Sequence, residues 1–72
     1  MSTDWFLLSP SHRKSAMIGS DGMSGPKVWP TEYNGDKFLR WAIENNILDI
    51  VLVNEHDPQL EDAEDDPRHQ RF

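Results

Sequence analysis

Cysteine is missing from this 72-residue chain. Its absence excludes disulfide staples, thiolate nucleophiles and every cysteine-ligated zinc site, and it suits a reducing compartment. Strong bases are scarce: seven lysines and arginines stand against thirteen aspartates and glutamates, a formal net charge of -6. Phosphate backbones are bound chiefly by lysine and arginine, so this balance speaks against direct binding of nucleic acid and for a partner with a basic surface. Long apolar runs are absent as well. No stretch approaches the roughly 20 residues needed to span a bilayer, and the N-terminus lacks the basic start and apolar centre of a secretory leader. The expectation is a cytosolic protein without a membrane partner. With 36% apolar residues the chain has material for one small core, and a domain of this size is marginal unless something supports it.

The charge is unevenly spread. Residues 54–72, NEHDPQLEDAEDDPRHQRF, hold seven of the acidic residues and only Arg68 and Arg71 as strong bases, a formal charge of -5. Their apolar content is Leu60, Ala63 and Phe72, interrupted by Pro58 and Pro67. Such a composition predicts a disordered acidic tail over 55–72, because little surface is there to offset the entropy of ordering.

Residues 1–54 read as one compact α+β domain, a small sheet of three to four short strands packed on one amphipathic helix. Trp5-Phe6-Leu7-Leu8, closed by Ser9 and Pro10, predicts a first strand over Asp4–Ser9. Ala16–Ile18 and Lys27–Trp29 predict two more, separated by GSDGMSGP, whose glycines and proline are loop chemistry. A helix is expected from Gly35 to Asn46, with Asn34 or Asp36 as N-cap. Phe38, Leu39, Ala42 and Ile43 recur on one face of it, and Asn45-Asn46 is a reasonable terminator. Ile47–Val53, apolar and β-branched except for Asp49, predicts a central strand.

Tests for chemistry return little. His12, His56 and His69 have no metal-ligand spacing, and no metal or cofactor is expected. The segment IGSDGMSGPK lacks the Lys-Ser/Thr pair of a phosphate loop. No serine sits in a nucleophile elbow, any general base would be a turn histidine, and the paired carboxylates fall in the acidic tail. The expectation is a protein that is not an enzyme. Binding surface remains: three tryptophans are many for so small a core, and tryptophan, tyrosine and arginine are common interface anchors. Trp29 and Tyr33, beside prolines and loop, are the candidate anchors, and Arg13, Lys14, Lys37 and Arg40 the candidate rim. The blander reading makes the tryptophans the rim of the core and the charges solvated. An acidic end can likewise be merely solubilising, or it can compete with nucleic acid for a basic groove.

From MSTDWFLLSPSHRKSAMIGSDG through KFLRWAIENNILDIVLVNEH to the acidic end, the sequence resembles the small RNA-polymerase-binding transcription regulators of lytic bacteriophages. The resemblance implies a protein of the host cytoplasm that binds the largest subunits of host RNA polymerase, impairs sigma-dependent initiation and suppresses termination. It implies no catalytic residue. Two other readings stand beside it: an acidic DNA mimic that inhibits another host nucleic-acid enzyme, and a self-associating virion protein. The expectation for the free protein is a monomer.

Overall fold

The structure, a computed structural model, describes residues 2–29, Glu32 and residues 34–72. Those residues form an α+β unit of five strands and two helices. Strand β1 (Thr3–Ser9) lies in the middle of the sheet, hydrogen-bonded on one side to β2 (Lys14–Gly22) and on the other to β4 (Val51–Asn54). Both pairings are antiparallel. The hairpin partner of β2 is β3 (Gly25–Val28), so the order runs β3-β2-β1-β4. The segment GSDGMSGP is therefore not a loop: Gly22 pairs with Gly25 around a two-residue turn at Met23-Ser24, and Gly25 takes φ 93. Neither Met23 nor Ser24 takes a positive φ; it falls on Gly25 just after them, the place of the glycine in a G1 bulge, which has no Cβ to oppose it. Gly19 is required for a different reason. A Cβ there would lie 2.2 Å from the Lys27 carbonyl oxygen of the neighbouring strand.

Register divides the side chains between two faces. Along β1, Leu7 is opposite Ala16 and Leu52, while Phe6 is opposite Met17 and Val53. The register shifts between Trp5 and Phe6, where β2 carries one extra residue, Ile18. On the first face Phe6, Leu8 and Val53 form the core together with Leu60, with Met17, Val51 and Ala63 around them. Leu60 belongs to helix α2 (Pro58–Asp65). On the second face Ala16 is fully buried, and helix α1 (Gly35–Glu44) packs against β2 with Phe38 and Ala42 inward.

The acidic end is thus ordered, and the division at residue 54 does not hold: Leu60 is 2% exposed in the middle of the core. From sequence alone Pro58 reads as an interruption. At the first helical position it is a start signal, since that amide has no intrahelical partner anyway. Asp57 completes the start by accepting a 2.9 Å hydrogen bond from the Gln59 N–H. Beyond α2 the chain returns as β5 (Gln70–Arg71), parallel to β2, with Gln70 N–H donating to Arg13 O and Phe72 N–H to Ser15 O. Because β1 lines the other edge of β2 throughout, β5 occupies the same edge as β3.

Two further expectations change. The run Ile47–Val53 is strand only from Val51, and it forms an edge, not the centre, of the sheet. Helix α1 uses half of its apolar stripe: Phe38 and Ala42 are buried, whereas Leu39 and Ile43 face outward. Asn34 does occupy the N-cap, in a left-handed conformation, but its side chain makes no capping bond. Asn46, also left-handed at φ 53, follows the helix end as expected.

Leu60→Ala should leave a cavity under Phe6, Leu8 and Val53. We expect a loss of about 2–5 kcal/mol, close to the whole stability of so small a unit. Thermal melting measures it, and a melting temperature unchanged from wild type would mean that α2 is not seated in the core.

Candidate interaction surface

Of the six residues selected from sequence, the five that are described do not converge. Arg13, at φ 54 in the β1–β2 turn, directs its guanidinium inward to Asp66, 3.1 Å away. Lys14 bonds Gln70 and lies 5.6 Å above the Trp41 ring and 5.7 Å above Phe72. Both bases thus hold the C-terminal segment and are not free rim charges. Trp29 is half-buried just after β3, its N–H donating to Ile18 O at 2.7 Å. Tyr33 lies outside the described residues. Lys37 and Arg40 are exposed on α1, away from the buried Phe38–Ala42 face.

Among the described residues, polar side chains gather in two places. In the first, the Asp49 carboxylate accepts from Ser9 Oγ at 3.1 Å, from Ser11 N–H at 3.0 Å and from Ser11 Oγ, and it sits 3.2 Å from His12 Nδ1. The Ser11 hydroxyl, followed by the weaker Ser11 N–H and Ser9 bonds, holds the Asp49 carboxyl down to about 2 against a smaller opposing effect of burial. Serine, histidine and aspartate side by side suggest a nucleophile system, but the geometry is wrong for one. Both hydroxyls and the carboxylate address the same nitrogen, Nδ1, at 3.1–3.2 Å, whereas a relay needs the nucleophile on one ring nitrogen and the carboxylate on the other. The cluster is a clasp. It ties the 47–50 segment to the β1–β2 turn, and it explains Asp49 in an otherwise apolar run, which is the one sequence signal that could have revealed it.

The second place is the C-terminal return. His69 Nε2 is hydrogen-bonded with the fully buried Ser15 Oγ at 2.8 Å, and its Nδ1 is buried with no partner among the described residues. Burial pushes the His69 pKa down; Glu64 and Asp66 oppose that, while Arg71 and Lys14 reinforce it. Asp66 is itself held down to about 2, first by the Arg68 guanidinium bond and then by the Arg68 N–H. Arg71 pairs with Glu64 of α2 and lies 4.9 Å over the Phe6 ring on the first face. Phe72 turns to the other face, 5.5 Å from Phe38 and 5.7 Å from Trp41. Among the described residues no cluster of histidines and carboxylates could hold a metal ion.

What stays open is apolar. Ile43, Leu48 and Leu52 are 80%, 84% and 59% exposed. Leu39, Ile43, Ile47, Leu48 and Ile50 line a shallow groove between α1 and the chain leading into β4. A second groove, lined by Trp5, Ile18, Val28 and Leu52 with Asp21 and Lys27 at its rim, runs over the part of the sheet around the β2 bulge. Trp5 is thus a groove wall, while Trp41 packs against Phe38 and Phe72. Contiguous exposed apolar surface on a small protein marks a place where something else binds.

Compared with family models, curated proteins and solved structures, the chain matches none of them.

The His69 pKa is lowered on folding, so the unfolded chain binds that proton more readily and stability falls as pH drops below the ordinary value of 6.5. Urea midpoints taken at about pH 7.5 and about pH 5.5, on either side of the free histidine value, should fall on acidification. The fall should shrink in His69→Gln. Equal slopes in the two proteins would show that His69 is not the group responsible.

Proposed function

We propose that this is a non-catalytic phage regulator of transcription. It binds host RNA polymerase through the largest subunits, in the host cytoplasm, lowers sigma-dependent initiation and favours antitermination. The resemblance along the chain supports the polymerase as partner. The observation that supports a binding role is the uncovered apolar groove around Ile43 and Leu48, with Leu52 exposed in a second groove, on a protein of net charge -6. Apolar side chains supply the contact area, and the charge steers the protein toward basic surfaces of a nucleic-acid-processing enzyme. The Asp49 cluster is consistent with a non-catalytic reading, because it holds the 47–50 segment against the β1–β2 turn. The free protein is a monomer in this reading and contacts no nucleic acid or membrane. Among the described residues no helix is long and apolar enough to cross a membrane.

One observation favours the DNA-mimic alternative. Glu61, Asp62 and Asp65 are exposed on α2 and make no ion pair among the described residues, so part of the acidic surface is held in a fixed array. Deleting residues 58–72 cannot separate the two readings, since it also removes Leu60 from the core. Substitution can. Purified polymerase should retain the wild-type protein in a pull-down at about 0.1 M salt, where the screening length is near 10 Å. Ile43→Asp with Leu48→Asp should abolish retention in the first reading. In the second, whose target is another host nucleic-acid enzyme, polymerase should not retain even the wild-type protein, and neutralising Glu61, Asp62 and Asp65 should abolish inhibition of that enzyme. No retention of wild-type protein, even at lower salt, would end the polymerase reading.

A further inference from the structure

The two long edges of the sheet are built differently. The β3 edge contains Pro26, which has no N–H to offer, and Lys27, whose charge resists burial beside another strand. Proline and lysine are the usual means by which edges are kept from pairing. The opposite edge, β4, reads Val51-Leu52-Val53-Asn54 and carries neither. Among the described residues β1 is its only strand partner, and two large apolar side chains, Leu48 and Leu52, stand exposed along it and its approach.

Register fixes what an added strand would meet. Val53 points to the first face, where it is 2% exposed under Leu60 of α2. Leu52 points to the second face, opposite Leu7, and forms one wall of the groove with Trp5, Ile18 and Val28. A strand laid beside β4 alternates its side chains between the same two faces. On the second face they lie next to Leu52. On the first they lie on the α2 side, where Glu61, Asp62 and Asp65 are exposed and unpaired among the described residues. A second copy of the chain is a poor occupant, because it would set one acidic α2 beside another.

We infer that the outer edge of β4 is a strand-addition site for an extended segment of a protein partner in which apolar and basic residues alternate. The apolar residues fill the Leu52 side and the basic residues face α2, while main-chain hydrogen bonds to β4 supply affinity independent of sequence. This site rests on sheet geometry and charge alone and does not depend on the polymerase reading.

Two short capped peptides test it, one alternating valine with lysine and the other valine with glutamate, titrated into the isotope-labelled protein and followed by amide chemical shifts. The lysine peptide should shift the amides of Val51–Asn54 and slow hydrogen exchange at Leu52 and Asn54, whose N–H groups point away from β1 in this register, and the glutamate peptide should bind more weakly. Leu52→Asp, at an exposed position, should weaken the lysine peptide about tenfold, the equivalent of about 1.4 kcal/mol. Replacing Glu61, Asp62 and Asp65 with lysine, all on the open side of α2, should reverse the preference between peptides. Shifts centred on β3 or on Leu39 and Ile43, equal affinity for both peptides, or no binding of the lysine peptide at millimolar concentration would each overturn the assignment. Because polymerase is not used, failure here and failure of the pull-down are separate results.

Discussion

The seating of Leu60 against Phe6, Leu8 and Val53 is the contact on which the other features depend. Without it the first face of the sheet has no cover, and Phe6, Leu8 and Val53 would lie open to water. Once α2 is held there, the chain that follows is brought to the free end of β2, where β5 pairs. The two residues Arg71 and Phe72 then turn to opposite faces. Arg71 reaches Glu64 and the Phe6 ring, and Phe72 reaches Phe38 and Trp41. One short strand thereby ties α2 on one face to α1 on the other.

This arrangement explains where sequence reasoning works and where it does not. The apolar run of β1, the inner face of α1 and the helix stop at Asn45-Asn46 were legible because each is set by neighbours in the chain. The 54–72 segment was not. Its composition is that of a disordered acidic tail, yet two apolar residues, Leu60 and Phe72, are each placed where a hydrophobic site is waiting for them. Average composition carries no information about such placement, although Asp57-Pro58 was a readable helix start. Ile47–Ile50 failed in the opposite direction. Strong β propensity reflects how well a residue fits a sheet surface, and here Asp49 is drawn aside to Ser9 and Ser11, so pairing begins only at Val51.

The candidate binding residues follow the same logic. Arg13 and Lys14 looked available because their partners, Asp66 and Gln70, are distant in the chain, and the fold spends both bases on its own C-terminal segment. Lys37 and Arg40 did prove exposed. The apolar surface was half visible: Leu39 and Ile43 belong to a periodic stripe that sequence assigns wholly to the core, and only the packing of α1 shows that Phe38 and Ala42 take the inner positions alone. That Leu52 lies on an unguarded edge could not be read before the strand order was known.

The C-terminal return also governs how the unit assembles. The β1–β2 and β2–β3 hairpins join near neighbours, but the Arg13–Asp66 and Ser15–His69 bonds span 53 and 54 residues of chain. Nearly all the loop entropy must therefore be surrendered before the last contacts compensate for it. A chain wired in this way has few half-built forms that are worth keeping, so it behaves as a single cooperative unit in which loosening the last few residues is felt as far away as the first hairpin.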